Sequence, residues 1–186
     1  MIVRERRADD LPALVAALRA VHERDGYPVR WQADPAGWLT PDGLRAAWVA
    51  EQPGTDRPLG HAALAAVDAR GPATAGWAQA TGRPAERLSC LTRLFVCLGS
   101  RGTGVGVALL DAAVAHARGE GRTAVLEVSP ADGPALALYR RHGWRDAGPG
   151  PPSWWVPGGG ASVLLVAPDA AQTSWSTATA RNSSAR

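Results

Sequence analysis

The residues of this chain whose types and spacing could do chemistry lie mostly in its second half. Arg101-Gly102-Thr103-Gly104-Val105-Gly106 follows an apolar run and opens a helical pattern. Strand, glycine-rich turn and helix together make an anion site. The first N–H groups of a helix have no intrahelical partner, and the dipole adds roughly half a positive charge there. Glycine permits positive φ and lets a ligand approach the backbone, and Arg101 puts a formal charge at the rim. Farther on, Ala124-Val125-Leu126-Glu127-Val128 is apolar except for one carboxylate. An unpaired buried carboxylate is costly, so Glu127 is expected to face a polar cleft or a partner. Desolvation there would raise its pKa toward a range useful to a base.

The anion can be narrowed. A Walker A loop needs a Lys after its last glycine; Val107 stands there, and the chain has no Lys at all. A dinucleotide fingerprint needs Gly-x-Gly-x-x-Gly, and Gly106 comes one position early. Only about 80 residues follow the motif, which disfavours a dinucleotide-dependent oxidoreductase. Taken alone, the glycines also fit a plain tight turn before a helix. Their setting says more. Arg101 to Gly106 resembles the Gln/Arg-x-x-Gly-x-Gly/Ala signature of the Gcn5-related N-acetyltransferase superfamily, and Arg93-Leu94-Phe95-Val96 looks like its fourth strand. Val125-Leu126-Glu127-Val128, Asp132, Ala135, Leu138-Tyr139 and Gly143-Trp144 resemble its second signature. Two residues depart from the pattern: Asp132 stands for the usual Asn, and Trp144 for the usual Phe.

The resemblance implies an acyl-CoA-dependent N-acyltransferase, with acetyl-CoA as donor and a primary amine of a small molecule or peptide as acceptor. The amine attacks the thioester directly. Leu94, Phe95 and Val96 would align the pantetheine arm as an added strand does, and a strand N–H near Phe95 or Val96 would serve as oxyanion donor. Arg101, Gly102, Thr103, Gly104, Val105, Gly106 and Val107 would bind the pyrophosphate, with Asp132 and Tyr139 also at the cofactor. Tyr139 is the acid candidate, because a neutral tyrosine can protonate a leaving thiolate or hydrogen-bond to it. Glu127 is the base candidate, twelve residues before Tyr139, a spacing similar to that in the ribosomal-protein alanine acetyltransferases. Glu86, His61 and Asp68 are further base candidates. The other reading is a catalytically weak acyl-CoA-binding module, which the Asp132 substitution leaves open.

These residues need a scaffold, and the hydrophobic pattern supplies one. Residues 2–5 alternate as a strand, and Leu11, Leu14, Val15, Leu18 and Val21 form a helical stripe capped by Asp9 or Asp10. Residues 44–50 and 59–67 read as a hairpin around Gln52-Pro53-Gly54-Thr55-Asp56. Residues 70–87 read as an irregular connection with a short helix near 76–81. The continuous apolar run 91–98 predicts a strand covered on both faces. A helix is expected over 104–118, a strand over 124–128 and a helix over 134–142. Residues 154–156 and 162–166 are expected to close the fold as a hairpin. The order gives an α/β (α+β) fold. The resemblance makes it a GNAT-like mixed, mostly antiparallel twisted sheet of six to seven strands flanked by helices. The domain is placed at residues 1–167, with an unstructured tail over 168–186.

Composition sets the outer limits. A hydrophobic fraction of 46% supports a core. All twenty basic residues are Arg, and they are scattered rather than striped, so a nucleic-acid partner is not expected. Cys90 and Cys97 make no metal framework and read as reduced thiols on or beside a buried strand. No apolar run is long enough to span a bilayer, and the first residues do not form a signal peptide. A cytoplasmic protein without membrane contact is expected, with a homodimer allowed. The resemblance implies an acceptor side built from the first helices, their loop and the final hairpin, which here hold Asp25, Tyr27, Trp31, Trp38, Trp154 and Trp155.

Overall fold

The computed structural model describes residues 1–55 and 57–168. β1 (Ile2–Glu5) leads into α1 (Leu11–Asp25), whose Leu14, Leu18 and Val21 are buried at helical spacing. Gly26 ends α1 in the left-handed region, φ 72°. The short α2 (Pro35–Trp38) is capped by Asp34, which accepts from Gly37 N. β2 (Leu44–Glu51) and β3 (Pro58–Ala66) form the expected hairpin. α3 (Thr74–Thr81) precedes β4 (Leu88–Val96), α4 (Val105–Gly119), β5 (Thr123–Val128), α5 (Gly133–Arg141), β6 (Arg145–Pro152) and β7 (Ala161–Val166). The sheet is open, in the order β1-β2-β3-β4-β5-β7-β6, and only β4–β5 is parallel.

Alternation along the strands divides the core between two faces. Trp48, Ala62, Leu64, Ala124 and Leu126 pack on one face with α4 (Val105, Leu109, Leu110, Ala113) and α5 (Leu136, Tyr139). Each such fully buried leucine contributes about 1.5–3 kcal/mol. The residues between them in sequence, Val49 and Val125, point to the other face. There α1 and α2 cover β2 to β4, and Trp77 of α3 covers Val125, Leu164 and Val166.

Three expectations are corrected. The last hairpin uses Arg145–Pro152 as its first strand, whereas Trp154 and Trp155 lie in the turn beyond it. Pro149, Pro151 and Pro152 mask this strand in the sequence, and they are tolerated because β6 is the sheet edge. β4 begins at Leu88 and ends at Val96, three residues before and two before the expected bounds. Asp10 stands at the α1 N-cap, but its carboxylate accepts from Arg4 (2.7 and 2.8 Å) and Arg7 N (2.6 Å) rather than from α1 amides. The expected tail falls on residues 169–186, outside the described residues.

Candidate active site

The site opens where the parallel pair parts. β4 and β5 pair only through Leu88↔Thr123, Ser89↔Ala124 and Cys90↔Val125. Beyond this point β5 stays with β7, through Leu126↔Leu165 to Val128↔Val163, and β4 stays with β3. Residues 91–96 therefore present one backbone edge to a gap. Such an edge offers free N–H and C=O groups to an extended ligand.

A bulge controls what that edge shows. Thr92 faces Ala63 and Phe95 faces His61, so Arg93 and Leu94 together oppose Ala62. Arg93 has φ 54°, the one positive φ on a non-glycine among the described residues. Above the bulge, Cys97 N donates to Leu59 O at 2.9 Å. In an antiparallel ladder this phase aims the Phe95 amide at β3 and the Val96 amide into the gap. Side chains switch face in step. Cys90 packs on the α3 side and Leu91 on the α4 side, while Leu94 and Val96 pack on the α4 side and Phe95 on the α1 side.

Past β4, Gly102 (φ 75°) and Gly104 (φ 85°) turn the chain into α4. A Cβ on either would meet nothing within 4 Å, so that side of the turn is open. The first intrahelical bond runs from Ala108 N to Gly104 O at 3.0 Å, which leaves the Val105, Gly106 and Val107 amides free at the positive end of α4. Gly106 serves packing: a Cβ there would lie 3.3 Å from Leu138 Cδ2 and 3.5 Å from Val96 Cγ2. Thr103 Oγ1 donates to Ser100 O at 2.7 Å. Arg101 pairs with Asp25 at the end of α1, holding the Asp25 carboxyl below its usual pKa. The turn thus has a cradle of backbone donors, and its rim charge is already engaged.

Glu127 lies on the α3 side of β5, level with Leu164 of β7. It has no arginine partner among the described residues; its Oε1 accepts from Ser162 Oγ, which is 2% exposed. Burial raises its pKa, and the Ser162 hydrogen bond opposes that rise. Gly150 of β6 makes this bond fit, because a Cβ there would sit 2.0 Å from Ser162 Oγ. Neither Ser162 nor Gly150 carried a sequence signal, since their meeting depends on β6–β7 pairing.

Tyr139 is 8% exposed, and its ring lies tilted against that of Trp144, the residue in the usual Phe position, with centroids 5.7 Å apart. Burial raises its pKa, and Tyr27, Asp132 and Cys90 add to the rise. Tyr139 belongs to the α5 layer and Tyr27 to the α1 layer, on opposite faces of the sheet. Tyr27 is itself pushed up to about 12 by burial. Asp132 caps α5, with Oδ1 accepting from Ala135 N at 3.1 Å.

The remaining base candidates fall away. His61 is fully buried with both ring nitrogens engaged, by Arg93 O (2.9 Å) and Arg6 Nη1 (3.4 Å), and burial pushes it down to about 4. Asp68 is exposed and caps Arg70 N (2.9 Å), and Glu86 is exposed in the turn that enters β4. On the acceptor side, Arg93 lies 4.1 Å over the Trp38 ring and Trp38 meets Tyr27 edge-on. Arg30 over Trp154, 4.6 Å from the ring centroid, joins the α1–α2 connection to the β6–β7 turn. Trp31 packs with His22 and Arg19 instead. Among the described residues there is no cluster that could hold a metal ion, and no helix is long and apolar enough to cross a membrane.

The sequence matches the family model "Acetyltransferase (GNAT) family" over residues 11–144, and the chain belongs to that family. It is accordingly an N-acetyltransferase that uses acetyl-CoA as acyl donor. Solved structures share the fold at low identity. Arabidopsis thaliana NAA60 in complex with acetyl-CoA is 22% identical, with TM-score 0.68 over 89% of this chain and 97% of that one. The ribosomal-protein-S18-alanine N-acetyltransferase of Escherichia coli is 18% identical, with TM-score 0.65 over 90% and 92%. The ribosomal-protein-alanine N-acetyltransferase of Brucella melitensis is 23% identical, with TM-score 0.63 over 89% and 98%. No curated protein matches the sequence significantly.

Proposed function

We propose that this chain transfers acetyl from acetyl-CoA to a primary amine of a small molecule or peptide, with Glu127 as base and Tyr139 as donor to the leaving sulfur. The observation that carries this reading is the parting of β4 and β5 after Cys90↔Val125, with Glu127 and Tyr139 on elements that border the gap. The thioester supplies an activated acyl group, and the protein supplies placement and proton handling. The free amides of Val105, Gly106 and Val107 hold the pyrophosphate, with Gly102 and Gly104 leaving it room and Arg101 and Thr103 shaping the turn. The gap-facing Val96 N–H and the open backbone edge of Leu94 to Val96 bind the pantetheine arm and the thioester carbonyl. Asp132 caps α5 and would, as the resemblance implies, contribute to the cofactor site from there.

Glu127 takes a proton from the incoming ammonium, directly or through water. Its raised pKa makes it a stronger base than an ordinary carboxylate, and it must be ionised to act. Tyr139 stays neutral far above physiological pH. A phenol that weakly acidic stabilises a thiolate by donating a hydrogen bond as charge develops, rather than by complete proton transfer. The two ribosomal-protein neighbours are named for protein alanine acetylation, which supports including peptide amines among the acceptors. Two free cysteines and the absence of a membrane-crossing helix among the described residues support a reducing, cytoplasmic setting.

Thiol release from acetyl-CoA across a panel of small amines and N-terminal peptides tests the reading. Turnover with at least one primary amine is expected, lost in Glu127→Gln and reduced in Tyr139→Phe. Full turnover in both variants would remove these role assignments. Thermal stabilisation by NAD but not by CoA would remove the cofactor assignment.

A further inference from the structure

His61 has no part in the proton transfers above, yet it is fully buried next to the one strained non-glycine residue among those described. Its protonation pattern follows from its neighbours. A carbonyl oxygen only accepts, so the ring Nδ1 carries the hydrogen and donates to Arg93 O at 2.9 Å. A guanidinium only donates, so Arg6 Nη1 points at the remaining lone pair on Nε2, at 3.4 Å. Arg6 is anchored in turn, donating to Leu39 O (2.6 Å) and Thr40 Oγ1 (2.9 Å). The Arg93 side chain returns to the same segment, with Nε donating to Trp38 O at 2.9 Å. Segment 38–40, the imidazole and the bulge are therefore tied together from both sides.

We propose that His61, backed by Arg6, is a positioning residue for acyl transfer: it clamps the Arg93 carbonyl and so fixes the bulge that turns the Val96 amide into the β4–β5 gap. This rests on the acetyl-CoA reading above and deepens it. Below the bulge Cys90 pairs with Ala65 and Leu91 with Leu64; above it Phe95 pairs with His61 and Val96 with Gly60. The register differs by one residue across Arg93. Losing the extra residue would slip the upper half by one, and each backbone and side-chain direction would reverse. The Phe95 amide would then face the gap, and Phe95 would leave its stack against His61, 5.7 Å away. A positive φ on Arg is strained and persists only where its surroundings hold it. His61 and Trp38 are the groups that do so.

The test is infrared spectroscopy of acetyl-CoA carrying ¹³C at the thioester carbonyl, bound to the protein without amine, together with steady-state kinetics. The wild type is expected to lower the bound carbonyl stretch relative to free acetyl-CoA. His61→Val should lose most of that shift and about 100-fold in kcat, the usual scale for an oxyanion donor, while its thermal stabilisation by CoA persists. His61→Asn places an N–H where ring Nδ1 stood and should recover most of the shift, whereas His61→Gln overreaches and should not. Arg6→Ala should give an intermediate loss. A folded His61→Val with full shift and kcat overturns the proposal. If His61→Val does not fold, equal shifts in the Asn and Gln variants overturn it. A wild type that binds no acetyl-CoA shows a different failure, that of the cofactor reading itself.

Discussion

Residues 88–90 and 91–96 belong to one strand, yet the two stretches have different work. In the first, Ser89 and Cys90 are paired on both edges, with β3 and with β5, and Leu88, paired with β5, is fully buried under α3. The second is paired on one edge only, carries the bulge, and leaves its other edge open where β5 has parted from it. The contrast shows how a sheet makes a ligand slot without giving up its core. A parallel pair holds the strands together for three residues, then lets them part, and the neighbours β3 and β7 take up the ladder on each side. The lower half stabilises the fold, and the upper half presents its backbone.

Mutations can break this comparison in order of effect. Glu127→Gln, at the open half, is expected to lower kcat by about 10²–10⁴ with little change in KM for acetyl-CoA. The same variant should melt higher at neutral pH. Burial raises the pKa of Glu127 above its unfolded value, so the ionised form weakens the fold as pH rises through that pKa, and a neutral amide removes the effect. Equal kcat in wild type and variant would place the base elsewhere.

Leu88→Ala, in the paired half, should cost about 2–5 kcal/mol of stability in denaturant titration while leaving kcat near wild type at temperatures where the protein is folded. If its kcat fell as far as that of Glu127→Gln, the division between the two halves would fail. Gly104→Ala forces a side chain into the left-handed region at the head of α4. About 1 kcal/mol of stability and a severalfold rise in KM for acetyl-CoA are expected. Isothermal titration with CoA measures the second effect apart from the first.

Ser162→Ala is the mildest and the sharpest. The Ser162 hydroxyl lowers the pKa of Glu127 against the rise caused by burial. Its removal should move the acid limb of kcat/KM to higher pH, because the base then protonates sooner as pH falls. Activity on the plateau should change little. A pH profile identical to the wild type would separate Glu127 from that limb.

Much of this was legible in the residues. The helical spacing in α1, the turn between β2 and β3 and the glycines before α4 are local signals, set by side-chain periodicity and allowed φ. The spacing of Glu127, Asp132 and Tyr139 was legible for the same reason, since one short strand and one short helix carry all three. β6 was not legible: Gly148, Pro149 and Pro152 argue against a strand until the strand is known to be an edge. The bulge was hidden inside an apolar run that reads as an unbroken strand, because its cause lies in contacts from Trp38 and His61.

The sequence by itself determined the elements, the anion-binding turn and the kinds of groups available for proton transfer, because each depends on neighbours within a few positions. Only the tertiary structure decided that β4 and β5 part after Cys90. It alone decided that Ser162 rather than an arginine meets Glu127, and that His61 holds a backbone carbonyl instead of serving as a base. Those outcomes depend on strand order and register. One residue of slip reverses every direction along a strand, and no local spacing records it.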